Sequence, residues 1–376
     1  MKNPRWYLRW LIFLCLFSCE KPTIDASLPL TQQLDQYLTF LQDKKQFHAV
    51  VLIAKGQDVL LQKGYGLASD ETKRSMQRQT VLDIGSVTKQ FTAAGIMRLV
   101  DLKKLTVEDK VGQYFPELPA DKAAITVHQL LTHRSGLPSD FAEDLDKLTP
   151  TAALHHIVMA KLVAKPGEKY AYSNTGYALL GLLIERLTGQ TYFQFMRRSV
   201  FAPTKLNSTG FYGDDYKGDL YFTGYFNQTR TNYSQLDSSV YYGNTLANGG
   251  ILSTVGDMYT WFQAITGTFL SSDSRNKLFT DYGDEYGYGW SVSQTRHGTF
   301  INHNGGGLGG NAFVGFYPDQ QLTVIILSNR IEYRTLFGVP VSVSLPADEA
   351  AKQVLDNLLD GNFSRLPNRT LPPSQW

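Results

Sequence analysis

Three short stretches of this chain place nucleophile, base and hydrogen-bond donors at spacings that suit acyl transfer. The first is Asp83-Ile84-Gly85-Ser86-Val87-Thr88-Lys89, with a serine at the expected start of a helix and a lysine three residues on. Residues at i and i+3 share a helical face, so the hydroxyl and the amine can meet. A serine hydroxyl is a poor nucleophile until a base takes its proton, and a desolvated, neutral lysine can be that base. Backbone N–H groups at the helix start are also candidate donors to an oxyanion. Taken alone, Ser-x-x-Lys is more often a helix cap followed by a solvated side chain.

The second stretch, Pro166-Gly167-Glu168-Lys169-Tyr170-Ala171-Tyr172-Ser173-Asn174, runs into a helix expected from about Tyr177. A phenol beside an amine can relay a proton, and an amide can orient the amine and donate to a substrate carbonyl. The commoner roles of these residues are a core tyrosine and an asparagine capping the next helix. The third stretch is Ile301-Asn302-His303-Asn304-Gly305-Gly306-Gly307, at the end of an expected strand. Its glycines let a substrate lie along the strand edge, and His303 is a candidate donor to a substrate carboxylate or a reacting oxygen. The run could instead be turn chemistry. A phosphate loop is disfavoured because no Gly-Lys-Ser/Thr follows.

The elements that must position these groups follow from periodicity. Leu30, Leu34, Tyr37, Leu38 and Leu41 repeat at three and four, which predicts an opening helix. The runs His48 to Ala54 and Val59 to Tyr65 around Lys55-Gly56-Gln57-Asp58 predict a hairpin. Helices are expected over Ser86 to Leu105, Val127 to Leu131 and Tyr177 to Leu187, the last with Gly189 as its C-cap. The Tyr- and Gly-rich stretch Gly210 to Gly243 reads as loops. Strands are expected over Trp290 to Thr295, Thr299 to His303, Ala312 to Tyr317 and Leu322 to Ser328, before a closing helix over Ala347 to Leu359. Strands near both ends around a helical middle predict an α+β fold: an antiparallel β-sheet flanked by N- and C-terminal helices, with a mostly helical region inserted.

Composition bounds the rest. At 376 residues, 43% hydrophobic and 19% charged, the chain can bury a substantial core. Lys2, Arg5 and Arg9 followed by the apolar run Trp10 to Phe17 read as an export signal over residues 1–18, too short to span a bilayer. Removing those three cations takes the net charge from +2 to −1, which gives no electrostatic case for nucleic-acid binding. Both cysteines, Cys15 and Cys19, fall at this segment, so the mature body is expected to hold no disulfide or thiolate metal ligand. The histidines show no metalloprotease spacing, and no metal or other cofactor is expected.

Together, Ser86-x-x-Lys89, Tyr172-x-Asn174 and His303-x-Gly305 resemble the three motifs of the serine β-lactamase, penicillin-binding and carboxylesterase superfamily, notably its class C-like branch. The stretches from Leu130 to Leu137, Asn248-Gly249-Gly250-Ile251 and Tyr286 to Trp290 add to the likeness, which covers residues 30–360. The resemblance implies a β-lactamase/transpeptidase-like fold and a serine hydrolase acting through a Ser86 acyl-enzyme. In that scheme Lys89 and Tyr172 handle the proton, and Asn174 orients Lys89 and substrate. Backbone N–H groups of Ser86 and Gly306 form the oxyanion hole, and Tyr172 activates the water that releases the acyl group. His303 replaces the lysine of the usual Lys-Thr-Gly, which weakens recognition of an anionic carboxylate and favours an ester or D-amino-acid peptide over a β-lactam. The alternative is a penicillin-binding sensor or binding lipoprotein of the same fold that does not turn over.

Leu16-Phe17-Ser18-Cys19 likewise resembles a bacterial lipobox. That implies diacylglycerol on Cys19, a tether over 19–29, the hydrolase domain over 30–360 and a proline-rich tail over 361–376. The expected setting is the bacterial envelope, at the periplasmic face of the inner membrane or at the outer membrane. The chain is expected to be a monomer, with membrane contact through the lipid and a small-molecule or peptide ester or amide as substrate.

Overall fold

In the computed structural model the described residues run from 21 to 363, apart from 145, 214, 217–223, 227–228, 231–244, 308, 332, 337–338 and 343–344. The export segment with Cys19 and most of the tail therefore lie outside them. The helices used below are α1 (Leu30–Lys45), α2 (Thr88–Asp101), α3 (Val127–Leu131), α4 (Pro150–Met159), α5 (Asn174–Thr188), α6 (Val255–Thr266) and α7 (Ala347–Asp360). The strands used below are β1 (Ala49–Lys55), β2 (Asp58–Tyr65), β3 (Leu82–Asp83), β4 (Gly210–Phe211), β5 (Ile251–Ser253), β6 (Ser291–Thr295), β7 (Gly298–Gly306), β8 (Asn311–Tyr317) and β9 (Leu322–Ser328).

The main sheet has the order β6-β7-β8-β9-β1-β2, antiparallel throughout. Strands from the C-terminal end thus pair with the N-terminal hairpin, Ala49 opposite Ser328 and Lys55 opposite Leu322. Alternation along β1 sorts its side chains between two cores. Ala49, Val51 and Ile53 join Leu34, Leu38, Ala350 and Val354 under the terminal helices α1 and α7. Val50, Leu52 and Ala54 join Phe91, Met97, Leu183 and Trp261 of the helical region. Both faces are covered, which is why β8 and β9 are buried along their whole length.

The helical region is organised around α2, whose residues from Thr88 to Met97 are all buried. Phe91 stacks on Trp261 of α6 with ring centroids 4.3 Å apart. A small second sheet, β3-β5-β4, anchors the turn before α2: Ile84 N–H donates to Ile251 O, and Ile251 N–H donates to Thr88 Oγ1.

The α+β architecture expected from the sequence is the one observed, with several boundaries moved. α2 is preceded by a 3₁₀ turn, Gly85–Val87, so Ser86 sits on that turn, and the helix stops at Asp101 rather than Leu105. α5 begins at Asn174, ahead of the start that periodicity suggests, because Ser173 caps it with Oγ accepting from Gly176 N–H. β7 continues past His303 to Gly306, paired with β8. Within the stretch read as loops, Gly210 and Phe211 form β4, Tyr225–Phe226 and Thr229–Arg230 pair as two short antiparallel strands, and most of the remainder to Gly243 lies outside the described residues.

Candidate active site

Close backbone approach builds the site. Gly85 takes φ +48°, and a Cβ there would lie 2.5 Å from Gly306 O. A Cβ on Gly305 would collide with Ile84 O and lie 2.9 Å from Ser86 N. Only glycine at these positions lets the end of β7 lie against the turn that carries Ser86. β6 pairs with β7 only as far as Asn302, so this end of the strand is free of β6. Asp83 Oδ1 accepts from Gly85 N–H at 2.7 Å and holds the turn from the other side.

Lys89 lies in the first turn of α2 with no solvent exposure. Its Nζ contacts Ser86 Oγ at 3.0 Å, Asn174 Oδ1 at 2.8 Å and the Asn248 carbonyl at 3.0 Å. Two of these partners can only accept. A neutral amine therefore spends its two N–H bonds on Asn174 and Asn248, leaving the lone pair for the Ser86 hydroxyl. Burial drives the Lys89 amine well below its ordinary value, opposed by the Asp140 and Asp144 carboxylates. The position near the N-terminus of α2 disfavours the ammonium further.

The Tyr172 phenol lies beside Ser86, whose hydroxyl offsets a small part of the effect of burial on it, and Lys89 Nζ sits 4.8 Å from the centre of its ring. Burial pushes this phenol well up, so it is neutral at physiological pH rather than a standing tyrosinate. His133 packs on the ring with centroids 4.2 Å apart, its Nδ1 accepting from Ser173 N–H at 3.0 Å. Burial, and then the nearby lysine, hold His133 well below its usual range.

Asn174 is the first residue of α5. Because Ser173 supplies the cap, the Asn174 amide is released to reach Lys89, and its Nδ2 donates to Asp140 Oδ1 at 2.8 Å.

The structure thus brings Ser86, Lys89, Tyr172 and Asn174 together beside Gly305 and Gly306. His303 departs from its expected role as a donor to a substrate carboxylate. It is 3% exposed, its Nδ1 donates to Asn304 O at 2.6 Å, and its Nε2 accepts from the Tyr286 hydroxyl at 2.9 Å. Both ring nitrogens are spent inside the protein, and burial, with a smaller contribution from Lys89, holds the ring down at about 4. It is a neutral internal strut. Asn248 and Asp140 contribute groups that the motifs do not single out. The Asn248 contact uses a main-chain carbonyl that has no signature in sequence, and Asp140 reads as one more solvated loop acid.

A sheet closed by both chain ends, a helical insertion, and a Ser-x-x-Lys turn against a glycine-flanked strand define the β-lactamase and penicillin-binding class of fold. The β-lactamase family model matches residues 34–334, and the chain belongs to that family. Penicillin-binding protein 4* of Bacillus subtilis is 31% identical over 353 residues, covering 84% of this chain and 78% of the relative. Protein flp of Staphylococcus aureus is 28% identical over 79% of this chain, which spans only 63% of that relative. Among solved structures, the octameric penicillin-binding protein homologue from Pyrococcus abyssi superposes with a TM-score of 0.75 at 25% identity, covering 90% of this chain and 79% of that one. The D-amino acid amidase from Ochrobactrum anthropi superposes with a TM-score of 0.73 at 20% identity, over 88% of this chain and 98% of that one, a likeness of fold.

Proposed function

We propose that this protein is a serine hydrolase that cleaves an ester or amide through an acyl-enzyme on Ser86. The observation that carries this reading is the Lys89 amine: fully buried, 3.0 Å from Ser86 Oγ, with its other two hydrogen bonds fixed on carbonyl-type acceptors. In acylation the Ser86 proton passes to the Lys89 lone pair as the Oγ–C bond forms. The carbonyl oxygen becomes an oxyanion facing the N–H groups of Ser86 and Gly306, where each donor is typically worth about 3–4 kcal/mol. As the tetrahedral intermediate collapses, the C–O or C–N bond breaks and the proton on Lys89 passes through the Tyr172 hydroxyl to the leaving group. Water then adds to the acyl carbon, giving its proton through Tyr172 to Lys89, and as the acyl C–Oγ bond breaks that proton returns to Ser86 Oγ and the carboxylic product departs.

An ester or a D-amino-acid peptide suits the site better than a β-lactam. The position that carries a lysine in Lys-Thr-Gly holds a neutral histidine with no nitrogen left for a substrate carboxylate. Fold neighbours described as a D-amino acid amidase, a D-stereospecific amidohydrolase and EstCE1, a hydrolase with promiscuous acyltransferase activity, are consistent with this preference. Export and lipid attachment at Cys19 complete the proposal, on the strength of Leu16-Phe17-Ser18-Cys19 and the basic, apolar run before it.

The test is turnover of nitrophenyl esters, D-amino-acid peptides and a chromogenic cephalosporin, with labelling by a serine-directed phosphonate. Ser86→Ala is expected to abolish hydrolysis and labelling while leaving the thermal transition in place. Retained turnover in that variant would remove Ser86 from the mechanism. A cephalosporin hydrolysed faster than every ester and peptide would overturn the substrate preference.

A further inference from the structure

The loop that follows α3 reaches the candidate catalytic groups at Asp140. It is tied to the start of α5 by three bonds besides the one to Asp140: Ser173 Oγ donates to Pro138 O at 2.7 Å, and Thr175 N–H and Oγ1 donate to Ser139 O at 3.0 and 3.3 Å. The Asp140 carboxylate is shared. Oδ2 accepts from Ser139 Oγ at 2.6 Å, and Oδ1 accepts from Asn174 Nδ2 at 2.8 Å.

An amide side chain can turn over with almost no change of shape, exchanging a donor for an acceptor. At Asn174 the exchange would set Nδ2 against the Lys89 amine and Oδ1 against the Asp140 carboxylate, donor on donor and acceptor on acceptor. Asp140 forbids it. We infer that Asp140 is a positioning residue of this site, one that locks the Asn174 amide with its oxygen toward Lys89 and so holds the amine opposite Ser86. This role rests on the acyl-enzyme reading above and belongs to a residue that acts through Asn174 rather than on the reacting atoms.

A second consequence is electrostatic. Among the described residues, the charged and titratable groups that face Lys89 are Asp140 and Asp144 from the loop, His133 after α3, His303 on β7, and the phenols of Tyr172 and Tyr177. The two histidines and two tyrosines are held in their neutral forms by burial. The carboxylates are thus the groups that favour the ammonium form, with Asp140 the larger. Removing that charge makes the free base available at lower pH.

The experiment measures the second-order rate of phosphonate labelling of Ser86 in the full chain from acid to alkaline pH. Asp140→Ala is expected to slow labelling about tenfold, the worth of one charge-assisted hydrogen bond. Asp140→Asn keeps an acceptor for Asn174 Nδ2 and loses the charge. It is expected to recover most of the rate and to move the acid limb of the profile to lower pH. In an Asn174→Ala background, Asp140→Ala should cost less than about threefold, because the residue it acts through is gone. An equal cost in both backgrounds, or Asp140→Ala within about twofold of the parent, overturns the inference while leaving the nucleophile assigned. Absence of Ser86 labelling in the parent chain overturns the acyl-enzyme reading itself, and the role of Asp140 with it.

Discussion

Replacing His303 by asparagine tests whether this imidazole is the neutral strut that its two internal hydrogen bonds make it. The ring is held at about 4 against an ordinary 6.5, so the unfolded chain takes up a proton that the folded chain refuses. The folded-state value is depressed. The stability contribution is therefore whole above about pH 6.5 and is lost as pH falls toward 4, where the folded state also begins to protonate. That gap corresponds to about 3 kcal/mol in all, of which about 2 kcal/mol has gone by about pH 5. His303→Asn is the informative perturbation, because an asparagine Nδ2 falls near the imidazole Nδ1 and can keep the bond to Asn304 O without titrating. Urea unfolding of parent and variant at neutral pH and at about pH 5 gives the comparison. The parent should lose about 2 kcal/mol more than the variant between the two conditions, and other acid-sensitive groups cancel in the difference. Equal losses, within about 0.5 kcal/mol, would mean that His303 is hydrated or charged in the folded state, and its role as a neutral strut would fall.

On the proposed mechanism, Tyr172→Phe removes the relay but not the base. Single-turnover rates should fall by about 10²–10⁴ for both acylation and deacylation, while the acid limb, which reports Lys89, stays in place; unchanged rates would exclude the phenol. Gly305→Ala drives a methyl group into Ile84 O. It is expected to cost roughly 1–3 kcal/mol of stability and to displace the Ser86 turn, read as a lower melting temperature with a disproportionate loss of kcat/KM. Phe91→Ala empties the contact with Trp261 behind the same helix and should cost about 3–5 kcal/mol in urea unfolding, several times the cost of Val163→Ala at an exposed position.

Sequence is most legible where one period dominates. Leu322 to Ser328 is a strand with the ends that an apolar run between turn residues gives it, and the opening helix, the hairpin, the Val127 helix and the Gly189 C-cap lie where periodicity and capping rules put them. The β3-β5-β4 sheet is not legible, because strands of two or three residues show no alternation to read. The start of α5 is ambiguous because Tyr172, Ser173 and Asn174 all suit a turn, and only the Ser173 hydroxyl bond decides which of them caps. At the site, Ser86, Lys89, Tyr172 and Asn174 stand out through the resemblance of three ordered motifs to a known family, since spacing alone leaves each of them readable as a cap or a core residue. His303 cannot be assigned that way, since whether an imidazole faces substrate or interior depends on its pairing with Tyr286.

The groups gathered on Lys89 come from Ser86, Asn174 and Asn248, and the strand beside them belongs to a sheet that closes only when β9 meets β1, as where Ile53 faces Val324. Such wide sequence separation means that no nascent fragment short of β9 can gather Ser86, Lys89 and Asn174 at the glycine edge of the completed sheet. Hydrolysis on Ser86 would then begin only with the closing long-range pairing, so the onset of turnover serves as a clock for completion of the sheet.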